Sequence, residues 1–444
     1  MASLFGTDGV RGVANQKLTP ELALALGRAG AFVLTGAKKR PRFVVGRDTR
    51  ISGDMLEAAF IAGVLSAGGD VLTAGILPTP AVAYLTRAVG AEAGVMISAS
   101  HNPVPDNGIK FFSAQGYKLP AKIEQRIGEL ERNGGLPRPT GAGVGKRLPL
   151  EQGAQLYLHH LAQEVKVDLR PLTIAVDTAH GAAHKVAPAL LRSLGARLTV
   201  INSDPTGTNI NENCGSTCPQ GLQQAVLETG ANIGFAFDGD ADRVLAVDEK
   251  GQPVDGDCIL AILALRLKEK GLLPGNGVVA TAMSNMGLEV ALKKQGIELA
   301  SAQVGDRYVL EGLQQRGWVL GGEQSGHIIN LRYNTTGDGL STALQLLQAM
   351  VETGLPLSQL AAVMKPLPQL LVNVPVSTKS GWQENKAIQT AILRAQQEFR
   401  GQGRILIRPS GTEPVMRVMA EGEKEPLLQE WVHKIAAVIE EQLS

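Results

Sequence analysis

The chain has 444 residues, 43 Lys and Arg against 42 Asp and Glu, and a net charge of +1. At about 100–200 residues per domain, this length predicts two to four domains, and near-neutral charge excludes the electrostatic footprint of a nucleic-acid or polybasic membrane binder. Three cysteines (Cys214, Cys218, Cys258) are too few for a disulfide framework and point to a reducing, cytoplasmic setting, with no secretory leader or membrane span expected.

Glycine stands out, at 52 residues, or about 12 % against about 7 % in average proteins. Phe5–Gly12 (FGTDGVRG) is glycine-dense and carries Arg11. Arg42–Thr49 then reads as a strand, Asp54–Ser66 as a helix stopping at Gly68-Gly69, and Val71–Ala74 as a second strand. The same strand–helix–Gly–strand order recurs in Leu172–Thr178, His184–Leu194, Gly195 and Arg197–Asn202. It recurs again in Gly277–Ala282, Leu288–Lys294, Gly296 and Ile297–Ala300. Each copy leads to a further apolar run that delivers a polar loop. Gly94–Ile97 precedes SASHNP (Ser98–Pro103), Ile233–Phe237 precedes DGDADR (Asp238–Arg243), and Trp318–Leu320 precedes GGEQSGH (Gly321–His327). Hairpin-like patterns follow the first two loops, at Ile109–Leu119 and Arg243–Val254.

The pattern predicts an α/β protein of three related α/β/α domains, each offering a loop beyond its strand ends to a shared central cleft. After a linker near Lys365–Pro368, an alternating run, a helix over Glu384–Phe399, Ile405–Gly422 and a last helix predict a smaller C-terminal α+β domain. The expected boundaries are 1–150, 151–255, 256–366 and 367–444, with Gly134–Lys146 a Gly/Pro-rich linker.

In DGDADR, alternate side chains of an extended or looped backbone point the same way, so Asp238, Asp240 and Asp242 can converge on one ion. Three hard oxygens select Mg²⁺, Ca²⁺ or Mn²⁺ over zinc. Glu249 falls at the twelfth position of a calcium hand, but Arg243 stands where that loop needs glycine. SASHNP lacks the G-x-S-x-G of a nucleophile elbow, and adjacent Ser100 and His101 diverge too much for a Ser–His pair. A serine beside a divalent cation would instead ligate it and carry a phosphoryl group. RPSGTEPVMR (Arg408–Arg417) joins hydroxyls and approachable N–H groups to two guanidinium forks, as an anion site requires. GGEQSGH, with Glu323, Ser325 and His327 in alternation, suits a polyhydroxylated ligand. His159, His160, His180 and His184 lack ligand spacing, and GAGVGKR (Gly141–Arg147) reads as a linker.

FGTDGVRG, SASHNP with NGIK (Asn107–Lys110), DGDADR, GEQSGH and RPSGTEPVMR, in this order from Phe5 to Arg417, resemble the α-D-phosphohexomutase family. Ala99, Gln324 and the compact length are similar to its branch acting on glucosamine phosphates, whereas relatives acting on mannose and glucose phosphates more often carry GEMSGH. The resemblance implies that Ser100 is a phosphoserine, ligating one Mg²⁺ per chain with Asp238, Asp240 and Asp242, with Arg243 nearby. It implies Glu323 and Ser325 on sugar hydroxyls, and Arg408, Ser410, Gly411, Thr412 and Arg417 on the phosphate that is not reacting. Arg11, His101, Lys110 and His327 become the candidates for charge stabilisation and proton transfer. The implied reaction moves a phosphoryl group between the 6- and 1-positions of a phosphosugar through a 1,6-bisphosphate, which also serves as primer, in a monomer or homodimer with no nucleic-acid or membrane partner. A phosphomannomutase/phosphoglucomutase, a Mg²⁺-dependent phosphosugar hydrolase and a non-catalytic sugar-phosphate binder are the competing readings.

Overall fold

The computed structural model describes residues 4–6, 8–34, 40–133, 135–410 and 414–444. It divides into two compact units, Met1–Met283 with Gln295–Val363, and Ser284–Lys294 with Met364–Ser444.

The first unit contains three sheets built on one plan. In the first, the strand Arg42–Arg47 lies parallel to both Asp70–Ile76 and Ala93–Ile97, and Asp106–Ser113 runs antiparallel beside Ala93–Ile97. In the second, Thr173–Asp177 lies between Arg197–Ile201 and Ile233–Phe237, with Val244–Asp248 antiparallel beyond. In the third, Gly277–Thr281 lies between Glu298–Ala302 and Leu320–Gly322, with Ile328–Asn330 antiparallel beyond. The shared strand order bears out the repeat. Strands enclosed on both faces by crossover helices need continuous apolar runs, and Ala93–Ile97, Ile233–Phe237 and Gly277–Thr281 are buried at every position.

Two additions complete the first sheet: Val10–Val13 pairs antiparallel with Asp106–Ser113, and Arg147–Pro149 adds to Asp70–Ile76. The helix Pro20–Leu34, absent from the sequence-based reading, crosses the helix Ser52–Ser66. Their backbones approach so closely that a Cβ on Gly27 would lie 2.3 Å from Phe60 O, and one on Gly63 2.1 Å from Leu24 O. Part of the glycine excess therefore serves helix packing as well as helix ends and loops. The expected hairpin-like pattern over Ile109–Leu119 forms in short: the chain reverses at Ser113–Tyr117, with the Ser113 N–H on Tyr117 O at 2.8 Å. Its first half pairs with Ala93–Ile97, and the return strand makes a single bridge, Phe112 to Lys118.

The second unit is a three-stranded antiparallel sheet in the order Gln369–Pro375, Val415–Gly422, Gly403–Pro409, carrying the helices Lys386–Phe399 and Glu425–Leu443. The helix Met286–Lys294 belongs to this unit, although the repeat in sequence groups it with the third sheet. Buried Glu421 accepts the Met286 N–H at 2.7 Å and Arg404 Nε at 2.7 Å, which ties the helix start to the sheet.

No described helix is long and apolar enough to cross a membrane. All three cysteines are free. Burial, with nearby aspartates, pushes the thiols of Cys214 and Cys258 up to about 12. A raised pKa keeps a thiol protonated and unreactive. A thiol reagent at pH 8 is expected to label half-buried Cys218 quickly and the other two only on unfolding, as counted by mass before and after denaturant.

Candidate active site

Ser100 stands just beyond the buried strand Ala93–Ile97, in the left-handed region at φ 55°. A non-glycine residue held there costs on the order of 1–3 kcal/mol and persists only where its surroundings over-determine it. Ser98 supplies part of that constraint: its Oγ accepts the Ser100 N–H at 2.9 Å and donates to Asp48 Oδ2 at 2.6 Å. The Ser100 hydroxyl then donates to Asp238 Oδ2 at 2.5 Å, across a sequence separation of 138 residues.

Asp238, Asp240 and Asp242 follow the strand Ile233–Phe237 and are all buried. They converge as expected, but through a turn, with Ala241 at φ 52° and its N–H on Asp238 O, not through extended alternation. Their ligating oxygens lie within 4.8 Å of one another. Asp240 Oδ2 accepts Thr79 Oγ1 at 2.5 Å and Lys110 Nζ at 2.7 Å, while its Oδ1 is buried without a hydrogen bond. Asp242 Oδ1 is likewise buried without a hydrogen bond, and a compact set of hard oxygens with two carboxylate oxygens left over fits a divalent cation. Glu249, by contrast, accepts both the hydroxyl and the N–H of Ser358 and takes no part.

The electrostatics show how the cluster tolerates so much like charge. Burial, reinforced by Asp242 and Asp240, holds the Asp238 carboxyl well above the usual carboxylate range. Burial pushes Asp242 the same way, but Lys110, His327 and Arg243 outweigh it and hold that carboxyl well below its ordinary value. Lys110 is the central cation. Its Nζ also lies 3.1 Å from Asp8 and 3.4 Å from Asp242, and these carboxylates raise its pKa although burial opposes them.

The remaining candidates take distinct places. Arg11 pairs with Asp8 and reaches toward Ala99 O and Asn102 Oδ1 at 3.4 and 3.5 Å. His101 Nδ1 lies 3.5 Å from Ser100 Oγ, and burial, then Arg243 and Arg11, lower its pKa to about 4, so the ring is neutral near pH 7. Arg243 sits at the edge of the cluster, its N–H on Asp238 Oδ1 at 3.2 Å and its Nε 3.8 Å from Asp242. His327 is buried behind Asp242: Gly337 N–H donates to its Nε2 at 3.1 Å, and its Nδ1 faces Asp242 Oδ1 at 3.6 Å. Glu323 is preset by the Gly305 N–H on Oε1 at 3.1 Å, and exposed Ser325 lies 3.5 Å from its Oε2. Gln324 turns away and donates to Asp255.

Four sequence profiles match the chain in order: Phosphoglucomutase/phosphomannomutase alpha/beta/alpha domain I over residues 2–134, domain II over 155–251, domain III over 255–367, and the C-terminal domain over 371–438. The chain belongs to the α-D-phosphohexomutase family. Phosphoglucosamine mutase of Moorella thermoacetica is 58 % identical to this phosphohexomutase, over 95 % of this chain and 96 % of that one. The Heliobacterium modesticaldum protein of the same name is 55 % identical over 99 % of each. Among solved structures, a phosphoglucomutase/phosphomannomutase family protein from Burkholderia thailandensis superposes with a TM-score of 0.83 at 25 % identity, covering 99 % of this chain and 98 % of that one. Aspergillus fumigatus N-acetylphosphoglucosamine mutase, seen with GlcNAc-6P and magnesium, shares the fold at a TM-score of 0.70 and 18 % identity, over 99 % of this chain and 96 % of its own.

In the second unit of this phosphohexomutase, the antiparallel register sets Arg408 directly opposite Arg417. Like charges placed so are destabilising. Burial and Arg417 together lower the Arg408 pKa. Ser410 is buried and closes the loop through its N–H on Val415 O at 2.9 Å. Gly411 and Thr412 lie outside the described residues.

Several residues of the first unit's site were missed from sequence. Asp8 links Lys110, Lys118 and Arg11, and Lys118 also pairs with Asp306. Thr79, Asp48 and Arg50 support the two loops. The signal available was the Asp-Thr pair ending the first strand of both early repeats, Asp48-Thr49 and Asp177-Thr178.

Proposed function

We propose that this phosphohexomutase interconverts glucosamine 6-phosphate and glucosamine 1-phosphate, with Ser100 as its phosphoryl carrier, and so supplies amino-sugar precursors for UDP-N-acetylglucosamine and the cell wall. The observation that carries the reading is the Ser100 hydroxyl held 2.5 Å from Asp238, on the rim of a buried three-carboxylate cluster. Near-full-length relatives named for this activity, at 53 to 58 % identity, support the choice of sugar. The free thiols agree with a reducing, cytoplasmic setting.

Ser100, Asp238, Asp240 and Asp242 would hold one Mg²⁺, which supplies positive charge against the phosphoryl group in transfer. In the forward direction, O1 of glucosamine 6-phosphate attacks the phosphoryl group on Ser100 and the Oγ–P bond breaks, giving the 1,6-bisphosphate. The bisphosphate turns end over end, Ser100 Oγ takes the phosphoryl group from O6, and glucosamine 1-phosphate leaves. Added 1,6-bisphosphate primes an unphosphorylated serine by the second half of this sequence. Lys110, Arg11 and Arg243 place fixed positive charge around Ser100, where it costs no reorganisation during transfer. Neutral His101 is in reach of the Ser100 oxygen for proton exchange. Buried His327, its Nδ1 3.6 Å from Asp242 Oδ1, adds charge that helps keep that carboxyl ionised. Glu323 and Ser325 accept and donate to sugar hydroxyls. Arg408, Ser410, Gly411, Thr412 and Arg417 are assigned to the phosphate that is not reacting, and a clamp for phosphate alone serves both orientations of the bisphosphate.

Arg417→Ala is expected to raise KM for the phosphosugar about 10- to 100-fold, the worth of one charge-assisted hydrogen bond, with a smaller effect on kcat; an unchanged KM in steady-state assays argues against the clamp. The sugar is tested by turnover of the purified, Ser100-phosphorylated protein on glucosamine, glucose and mannose phosphates side by side. The highest kcat/KM is expected on glucosamine phosphate. A higher value on mannose or glucose phosphate replaces this reading by phosphomannomutase/phosphoglucomutase activity.

A further inference from the structure

We infer that Arg50 and Asn211 are positioning residues for Ser100, a two-sided clamp that holds the serine in its left-handed backbone conformation and thereby aims its Oγ at the carboxylate cluster. The inference rests on Ser100 being the phosphoryl carrier.

Arg50 is 0 % exposed, the bulkiest fully buried side chain described. Its Nε donates to Asp48 Oδ2 at 2.9 Å. Nη1 donates to Pro103 O at 2.6 Å and Asp106 O at 3.0 Å, and Nη2 to Asn102 O at 2.7 Å and Ser100 O at 3.0 Å. All five guanidinium N–H groups are thus used, three of them on main-chain carbonyls of the serine loop and one on that of Asp106, where the next strand begins. From the second sheet's side, Asn211, itself left-handed at φ 59°, donates through Nδ2 to Ser100 O at 2.9 Å and Asn102 O at 3.1 Å. The same two carbonyls are therefore held from both sides. Gly239 of the aspartate loop lies against this joint, and a Cβ there would come 2.6 Å from Ser100 O and 2.9 Å from Asn211 Nδ2. The clamp thus fixes the serine loop against the loop that bears the carboxylates.

Comparison of the repeats separates this role from ordinary turn building. At the strand end, Asp48 accepts the N–H of residue 50, and in the second repeat Asp177 accepts the N–H of residue 179, each at 2.9 Å. The turn is common to both. The residue at that place in the second repeat, which carries no serine loop, is Ala179. The long buried cation is present where a reactive side chain has to be aimed. A carbonyl-rich loop offers no charge to hold it, so its geometry depends on directional donors, and a fork supplies more of them than an ammonium.

The test measures, by intact mass in a single turnover, how fast glucose 1,6-bisphosphate phosphorylates Ser100, alongside kcat and KM. Asn211→Gly removes the amide while tolerating φ 59°, and Arg50→Lys keeps a cation beside Asp48 but loses the fork. Phosphorylation is expected to slow about tenfold in Asn211→Gly and about a hundredfold in Arg50→Lys, with KM within about twofold of the parent in each. Asn211→Asp, which sets an acceptor against two carbonyls, is expected to be slower than Asn211→Gly. Parental phosphorylation rates in Asn211→Gly overturn the clamp, as does a rise in KM without slower phosphorylation. Should Arg50→Lys not fold, the two Asn211 variants decide the question. Failure of the parent protein to take phosphate on Ser100 overturns the carrier reading itself.

Discussion

Ser100→Ala is expected to lower mutase turnover by at least about 10⁴-fold, the scale on which loss of a covalent nucleophile acts when binding and charge stabilisation remain. The reason is chemical. With no hydroxyl, neither half of the double transfer can begin, and the surrounding groups have nothing to act on. The fold should survive, because the backbone of residue 100 is held by Ser98 Oγ and by donors to its carbonyl, none of which involves the deleted oxygen. Alanine at φ 55° is strained no more than serine already is. Binding of the phosphosugar, read by calorimetry or by a rise in Tm, should persist while turnover vanishes. Retention of more than a hundredth of parental turnover would sink the carrier role.

Asp240→Asn should cost about 100-fold or more in turnover, together with a marked loss of divalent-cation affinity. Asn retains one carbonyl oxygen, which can still accept from Thr79 and Lys110, the two partners of Asp240 Oδ2. What is lost is the second, anionic oxygen, the one buried without a hydrogen bond. The substitution therefore removes the feature that reads as a metal ligand and little else. In thermal melts, a cation that binds only the folded state at 100 times its Kd stabilises by about 2.7 kcal/mol. The parent protein should show a Mg²⁺-dependent rise in Tm that EDTA reverses, and Asp240→Asn should need far more Mg²⁺ for the same rise. If the variant responded to Mg²⁺ as the parent does, the cluster would be structural.

The repeat, the strand–helix punctuation and the loops were legible because they rest on local physics. A buried parallel strand needs an unbroken apolar run, a helix end favours glycine, and a polar loop beyond a strand end needs Ser, Asp and Gly. Chemically minded grouping of Ser100 with Asp238, Asp240 and Asp242 also followed from composition of those loops, and the structure brings all four together. The hairpin over Ile109–Leu119 is reduced to a turn and one bridge, because alternation indicates a strand but not how far its partner runs beside it.

What the chain determines by itself is therefore the inventory: three like α/β/α repeats and a smaller α+β domain, each repeat carrying one polar loop beyond a strand end. What only the tertiary structure decides is how charge is balanced around that inventory. Lys110 meets Asp240 across 130 residues, Asp8 is shared among three cations, His327 lies behind Asp242, and Arg50 grips the serine loop from within the core. Periodicity and turn chemistry act over a few residues and leave a pattern in sequence. Ion pairs and buried forks act over a few ångströms between segments far apart in the chain, and leave none until the sheets assemble.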